Sequence, residues 1–423
     1  MSSATSSIRR SFPAEPPTFD PAIAVETGRS LKVEMQLDVL VFGGGAAGLW
    51  CLDRIRRAGY HAILLESKAL GAGQTIQAQG IIHGGGKYAL RGVRDFEAVR
   101  ATSLMPDRWR RSLIGNLEPY LADTEILSDR CHLWLPRNSA GAWLQSWGGM
   151  SLAVKAGLLA TRPEKVSRND WPEALLDSAL AVYSLAEPVI ATGSFLNVLA
   201  THHRGSIFLY DDASVQFSAA GVRVGDIFLQ PHATVLTAGV GNGQLLRRAG
   251  MEEDLMQCRP LGMLLLRGDL PRLFGHCVVG GKTGLTITTP VPGLWQIGGE
   301  IAERLAGEEN AAVARRLALD EIRRWLPRLD LRRADIAIYR AVRAEASTAA
   351  HRRPSGVHVS RVAPGKVVAW PTKLSMVPIL AEEVFEILRL DLKAPGGYDE
   401  TPPWSKPEVA RYPWEEAEWF PVN

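Results

Sequence analysis

The sequence predicts a mixed α/β protein in which a parallel βαβ domain is interrupted by a second domain built on a mainly antiparallel sheet. Three observations predict it. An apolar run, Leu37 to Phe42, turns directly into Gly43-Gly44-Gly45. Behind it, Ala46 to Ala58 carries apolar residues at helical spacing and stops at Gly59, and Ala62 to Glu66 (AILLE) is a second buried-strand run. Further along, short alternating segments separated by turn residues replace this strand-helix rhythm. The 423 residues, 46% hydrophobic and 22% charged, suffice for two or three cored domains.

In chain order, Met1 to Ser30 is rich in Ser and Pro, so 1–34 is expected to be a disordered arm, with structure beginning near Met35. After the βαβ opening, Gly71 to Gly86 (GAGQTIQAQGIIHGGG) holds too much Gly and Gln for a regular element and is expected to be an extended loop touching a ligand. Phe96 to Leu113 looks helical and Ser128 to Trp143 strand-like, with Trp134, Trp143 and Trp147 marking a separate apolar core. A helix over Ser194 to His203 precedes short strands at Ile207 to Tyr210, Ala213 to Phe217, Val222 to Leu229 and Thr234 to Thr237, the last ending in Ala238-Gly239-Val240-Gly241. Leu261 to Leu266, Leu285 to Thr289 and Gly293 to Gly299 follow as strands, Ala311 to Leu326 as a helix and Asp335 to Ser347 as a strand-like segment. Val367 to Trp370 is a strand, Pro371 to Lys373 a turn and Leu374 to Leu390 a helix. These elements divide the chain into a dinucleotide-binding domain (35–100, 185–250, 290–305 and 355–392), an inserted substrate domain (101–184, 251–289 and 306–354) and a Pro-rich tail (393–423).

Composition excludes several classes. A formal net charge of +3 with no dense Lys/Arg block argues against a nucleic-acid partner. No apolar run is long enough for a transmembrane segment, and the N-terminal stretch lacks the continuous apolar core of a signal peptide. Cys51, Cys131, Cys258 and Cys277 are far apart, with no CxxC spacing, which fits a reducing, cytoplasmic setting. His132, His202 and His203 have no Cys or acidic neighbours at ligand spacing, so no metal site is expected, and there is no GxSxG elbow.

Gly43-x-Gly45-x-x-Gly48 stands between a strand and a helix, and Glu66 ends the next strand 18 residues after Gly48. That is the context a Rossmann-like dinucleotide fingerprint requires. Gly43 allows the tight turn, Gly45 lets the backbone approach a pyrophosphate, and Gly48 lets helix and strand pack closely. The helix start at Ala46 and Ala47 supplies free N–H groups and partial positive charge, and Glu66 accepts from ribose hydroxyls. The fingerprint alone does not separate FAD from NAD. No second GxGxxG in a strand-to-helix context occurs, so a separate NAD(P)H domain is not expected.

Three segments, VFGGGAAGL with ILLE, GAGQTIQAQGIIHGGGKY and ATVLTAGVG, resemble the D-amino-acid-oxidase-like superfamily of FAD-dependent oxidoreductases, which includes glycine and sarcosine oxidases, L-2-hydroxyglutarate oxidase and flavin-linked glycerol-3-phosphate dehydrogenase. The resemblance implies FAD as cofactor. It places Glu66 and Ser67 at the adenosine ribose, Gln74 and Thr75 at the pyrophosphate, and Gln79, Gly80 and Ile81 along the ribityl chain and flavin edge. Val215 is placed against the adenine through its backbone, and Ala238, Gly239 and Gly299 in further FAD-contacting turns. The C-terminus departs from the pattern, having Trp370-Pro371-Thr372-Lys373-Leu374 where many members have a Gly-rich turn. A helix starting there, at Thr372, Lys373 and Leu374, still aims N–H groups at flavin N1 and C2=O. Lys373 either adds a positive charge beside the flavin or is a solvated lysine at a helix start.

The resemblance also implies a small-molecule substrate, anionic in character, positioned over the flavin, with oxygen, a quinone or a carrier protein as electron acceptor. His83 is the leading catalytic candidate, because it lies in the flavin-side loop and titrates near neutrality. It serves as a base for an alcohol or hydroxy acid; for an amine it is instead structural or a covalent flavin attachment point. Arg340 and Arg343 are candidates for gripping a substrate carboxylate or phosphate, against an ion-paired or surface role suggested by nearby Glu345. Tyr339, His276 and Lys87 are weaker pocket candidates. The expected function is oxidation of a small amine, amino acid or hydroxy acid by hydride transfer to flavin. A quinone-linked glycerol-3-phosphate-dehydrogenase-like flavoprotein and a non-catalytic flavin-binding scaffold or sensor are the alternatives.

Overall fold

The computed structural model describes residues 33–85, 102–138, 163–251, 254–280, 282–348, 354, 356–371 and 373–422. The expected arm apart from its last two residues, Lys87, Trp143, Trp147 and Thr372 lie outside that set. Strand β1 (Val33–Phe42) has its last six residues buried without alternation, as a parallel strand covered on both faces must. It leads through the glycines into helix α1 (Ala46–Arg57) and strand β2 (Ala62–Glu66), giving the βαβ unit. β1 pairs in parallel with β2 on one side and with strand Ile227–Leu236 on the other. The sheet continues outward through Lys366–Trp370 and His358–Ala363 at one edge and Ile207–Leu209 at the other. The two short strands Val215–Phe217 and Val222–Val224 form a meander on Ile227–Leu236, completing eight strands.

The second sheet has nine strands, ordered Phe420–Pro421, Asp335–Ala346, Met256–Arg267, Leu294–Gly298, Lys282–Val291, Gly275–Val279, Cys131–Pro136, Ala179–Leu185 and Glu164–Lys165. Every neighbouring pair is antiparallel except Gly275–Val279 with Cys131–Pro136. The mixed α/β class with a mainly antiparallel second sheet is thus the observed one. One face of the first sheet packs on α1, Thr192–His202 and Val377–Leu388, with Trp50, Trp109 and Phe195 clustered at ring separations of 4.8–6.1 Å. The second sheet packs on Glu300–Ala306 and Ala311–Trp325.

Several boundaries differ from the sequence reading. The end of the segment Val222 to Leu229 and most of Thr234 to Thr237 join in a single ten-residue strand, Ile227–Leu236, running through Pro231; Gln-Pro there reads as a turn but sits in register opposite Leu37. Leu374 to Leu390 divides into a single 3-10 turn, Leu374–Met376, and an α-helix, Val377–Leu388, with Pro378 in its first turn. Strand Leu294–Gly298 lies in the middle of the nine-stranded sheet, although the sequence groups residues 290–305 with the dinucleotide domain; all five of its residues are buried, a pattern that does not tell one sheet from the other. The Pro-rich tail is held along the first domain by hydrogen bonds from Leu209 N to Ser405 O, Leu70 N to Glu408 O and Gly193 N to Tyr412 Oη, and then adds the edge strand Phe420–Pro421 to the second sheet. His203 does acquire an acidic partner, buried Asp53 at 3.0 Å, drawn from α1 rather than from nearby sequence. No described helix is long and apolar enough to cross a membrane.

Candidate active site

A cavity of about 1090 Å³ opens where the glycine turn after β1 meets the second sheet, at the top of the size range of small-molecule sites. It is lined by Gly43, Gly45, Ala46 and Ala47 at the start of α1, by Glu66 and Ser67 after β2, and by most of the loop from Gly71 to His83.

The glycines are required by contact. Gly43 has φ +102°, and a Cβ on it would meet Ala238 Cα at 2.5 Å. A Cβ on Gly48 would stand 1.8 Å from Gly43 O, so strand turn and helix can close only with glycine there. Gly48 lies outside the cavity lining and acts by this packing. Glu66 accepts from Gly44 N–H at 2.6 Å and Lys68 N–H at 2.9 Å. Burial pushes its carboxyl above the ordinary value, and the backbone donors reduce that rise without cancelling it. Thr75 Oγ1 accepts from Ala46 N–H at 3.1 Å, fixing the loop against the helix N-terminus.

Gln74 and Gln79 line the cavity, but their hydrogen bonds run to the second sheet. Gln74 Oε1 accepts from Ala344 N–H, and Gln79 Nε2 donates to Thr286 O and Gln296 O. Gln296 Nε2 in turn donates to Gln77 O and Tyr339 Oη. The polar composition of this loop therefore serves to staple it to the other sheet as well as to face a ligand. Gly80 has φ +71° and packs on Ile190, where Ile190 N–H donates to Gly80 O and Ile82 N–H to Pro188 O. Val215 is buried in the core and does not line the cavity; Tyr210, Asp211 and Asp212 line it in that region instead. The residues just before the meander strand thus form this part of the wall, and burial of the Val215 side chain does not bear on the contact expected of its backbone.

Ala238, Gly239, Gly299, Lys373, Leu374 and Val377 complete the wall. Gly299, at φ +103°, cannot carry a side chain without meeting Gly284 O at 2.6 Å. Val377 opens the 12-residue helix expected to face the flavin.

The two arginines separate. Arg340 reaches the rim but its guanidinium donates to Leu305 O at 2.7 Å, Ala306 O at 3.1 Å and Glu308 O, capping the end of helix Glu300–Ala306. This removes it as a substrate grip and assigns it a structural task. Arg343 lines the cavity, and its Nη1 is buried with no hydrogen-bond partner among the described residues. Glu345 pairs instead with Arg259 at 2.8 Å and accepts from Gln257.

His83 lines the cavity, and behind it stands a cluster that no sequence spacing announces. Its Nδ1 lies 3.3 Å from Glu187 Oε2, and its ring is 5.3 Å from that of His276. Glu187 Oε1 accepts from Gly84 N–H at 2.7 Å. His276 is fully buried, with Nδ1 2.9 Å from Thr286 Oγ1 and Nε2 3.9 Å from Glu187 Oε2. One donor atom from each of His83, Glu187 and His276 lies within 4.8 Å of the others. Burial alone would raise the Glu187 carboxyl, but hydrogen bonds and charge from His276 and His83 outweigh it and hold the carboxyl well below the usual range. Glu187 escapes a reading of the sequence because it lies beyond the helix and strand patterns, 104 residues from His83.

The geometry has close relatives. Residues 38–368 match the family model for FAD-dependent oxidoreductases designated DAO. The chain is 35% identical over 397 residues to the probable FAD-dependent oxidoreductase PA4991 of Pseudomonas aeruginosa, covering 90% of this chain and 98% of that one. The crystal structure of that protein superposes with a TM-score of 0.75 at 31% identity, again over 90% and 98% of the two chains. Glycine oxidase from Geobacillus kaustophilus (TM-score 0.61, 14% identity, 89% of this chain and 100% of that one) has the same fold. So does L-α-glycerophosphate oxidase from Mycoplasma pneumoniae with FAD bound (TM-score 0.62, 14% identity, 88% and 100%).

Proposed function

The chain belongs to the DAO family of FAD-dependent oxidoreductases, and from that premise we propose that it oxidises a small, anionic amine, amino acid or hydroxy acid. The observation that carries this reading is that one cavity is bordered both by the glycine cradle at Gly43 to Ala47 and by His83, Arg343 and Lys373. When bound, FAD would supply the acceptor for a hydride from the donor carbon. The N–H groups at the start of α1 hold the pyrophosphate and Glu66 the ribose hydroxyls. Lys373 and the N-terminus of Val377–Leu388 would bring positive charge to the flavin end of the cavity. Arg343, whose buried Nη1 has no hydrogen-bond partner among the described residues, takes the donor's carboxylate, and His83 accepts the proton released from its O–H or N–H group.

The test is anaerobic mixing of the purified yellow protein with a panel of amines, α-amino acids and α-hydroxy acids, followed by flavin absorbance. One class is expected to bleach it, and His83→Ala is expected to slow that bleaching at least about 100-fold with FAD retained. Resistance to every donor would favour a flavin-binding scaffold. Reoxidation by air, compared with an artificial quinone, then identifies the acceptor class.

A further inference from the structure

Glu187 contributes nothing to the cradle, yet it is a buried carboxylate, and such a group is held inside a protein only when specific partners compensate its desolvation. Its location is fixed by the backbone. Ile190 N–H bonds Gly80 O, Ile82 N–H bonds Pro188 O, and Gly84 N–H bonds the Glu187 side chain itself, so the flavin-side loop is zipped to 187–190 with Glu187 beside His83. On its other side His276 is oriented by Thr286 and has Cys131 Sγ 3.7 Å from its Nε2.

Resting on the function proposed above, we infer that Glu187, with His276 behind it, is the positioning residue for proton transfer at His83. An ionised carboxylate only accepts, so its contact makes Nδ1 the protonated nitrogen of the neutral ring and leaves Nε2 as the acceptor. In the oxidation the donor's C–H electron pair leaves with the hydrogen as hydride to FAD. The O–H or N–H proton passes to His83 Nε2, and the electron pair of that bond becomes the C=O or C=N bond of the product. Glu187 then faces an imidazolium, and the charge formed on His83 is matched without bringing water into the site. His276 is the other titratable group packed on this pair among the described residues, and Arg343 and Lys373 are among several charged groups, Arg340, Glu300 and Glu303 included, that line the same cavity.

The experiment is histidine-ring NMR on the FAD-loaded protein without a donor, with His83→Gln used to assign the His83 signal among the nine histidines. In Glu187→Gln the His83 midpoint is expected to fall by about one pH unit or more, and the Nδ1–H tautomer to lose its dominance. Glu187→Asp keeps the anion and should leave the midpoint within a few tenths. In anaerobic reduction by whichever donor bleaches the wild-type protein, the acid limb of the rate profile should move down with the NMR midpoint and the plateau drop roughly 10- to 100-fold. An unchanged midpoint and tautomer in Glu187→Gln overturns the inference. So does a stoichiometric metal ion found in the wild-type protein by elemental analysis and lost in Glu187→Gln, which would make the trio a cation site. Should Glu187→Gln fail to hold FAD, the same NMR comparison is made between FAD-stripped wild-type and Glu187→Gln proteins: an equal His83 midpoint and tautomer overturns the inference, and a lower midpoint in Glu187→Gln supports it. If no donor bleaches the flavin, the proposed function fails while the NMR arm still reports on Glu187.

Discussion

Glu66 and Glu187 are both shielded carboxylates serving one cavity, and they are driven in opposite directions. Glu66 is faced by backbone donors at Gly44, Lys68 and Ser67 and by the more weakly acting charge of Lys68, and burial prevails over them, so its carboxyl is pushed up. Glu187 is more deeply enclosed, yet it is held far down because two imidazoles face it. Depth of burial is therefore not what sets these groups; partner type is. The region around Glu66 is poised for a ligand that brings its own donors. The region around Glu187 is already electrostatically complete.

The largest effect should break the first region outright. Gly48→Val places a branched side chain where a single Cβ would already stand 1.8 Å from Gly43 O, so β1 and α1 cannot close around the turn. The expected product is protein with no bound FAD, read as loss of the flavin spectrum, while the second sheet, whose core is separate, is left to fold. A yellow Gly48→Val protein would remove the packing account of this glycine.

Next in size is Glu187→Ala. It leaves Gly84 N–H without its acceptor and removes the carboxylate that faces the half-buried His83 and the buried His276, at a cost of about 3 kcal/mol in chemical denaturation at pH 7. The pH dependence has a definite sign. A carboxylate whose folded value lies below its unfolded one contributes stability above the ordinary value of 4.5 and loses it as pH falls through the depressed folded value. The gap between wild type and Glu187→Ala should therefore be widest near neutrality and narrow steadily below about pH 4.5. A gap independent of pH would mean that the residue acts only by filling space.

The same contrast explains what could be read from the chain. The cradle is local: Gly43, Gly45, Gly48 and Glu66 fall within 24 residues, and their spacing follows from the strand, turn and helix they join. The fold class followed from the same periodicities. The Glu187 trio comes from the Gly-rich loop that ends at His83, the segment before Val189 and strand Gly275–Val279, and its proximity depends on sheet registers that no periodicity encodes. His83 was legible through its loop, and His276 only as a weak candidate. Arg340 misled because a strand position beside a cavity does not say whether a guanidinium turns toward the ligand or, as here, toward a helix end.

The smallest effect sharpens the comparison most. Glu66→Gln keeps a carbonyl oxygen for Gly44 N–H and removes a charge that its surroundings disfavour. Each carboxylate oxygen has two acceptor sites, so in the wild-type protein the ribose hydroxyls can bond Glu66 beside the backbone donors already present. Those charge-assisted bonds weaken in the amide, and FAD affinity should fall roughly 10-fold, about 1.4 kcal/mol, by fluorescence titration. Stability of the FAD-free protein should move the other way or not at all. A carboxyl raised on folding costs stability at neutral pH and regains it as pH falls through the raised value, and the amide has no such slope. Protein stripped of FAD should thus be at least as stable as Glu66→Gln at neutral pH as in the wild type, with a flatter stability profile between pH 4 and 7. A loss of stability matching the loss of affinity would place Glu66 with Glu187, as a carboxylate that the fold itself needs charged.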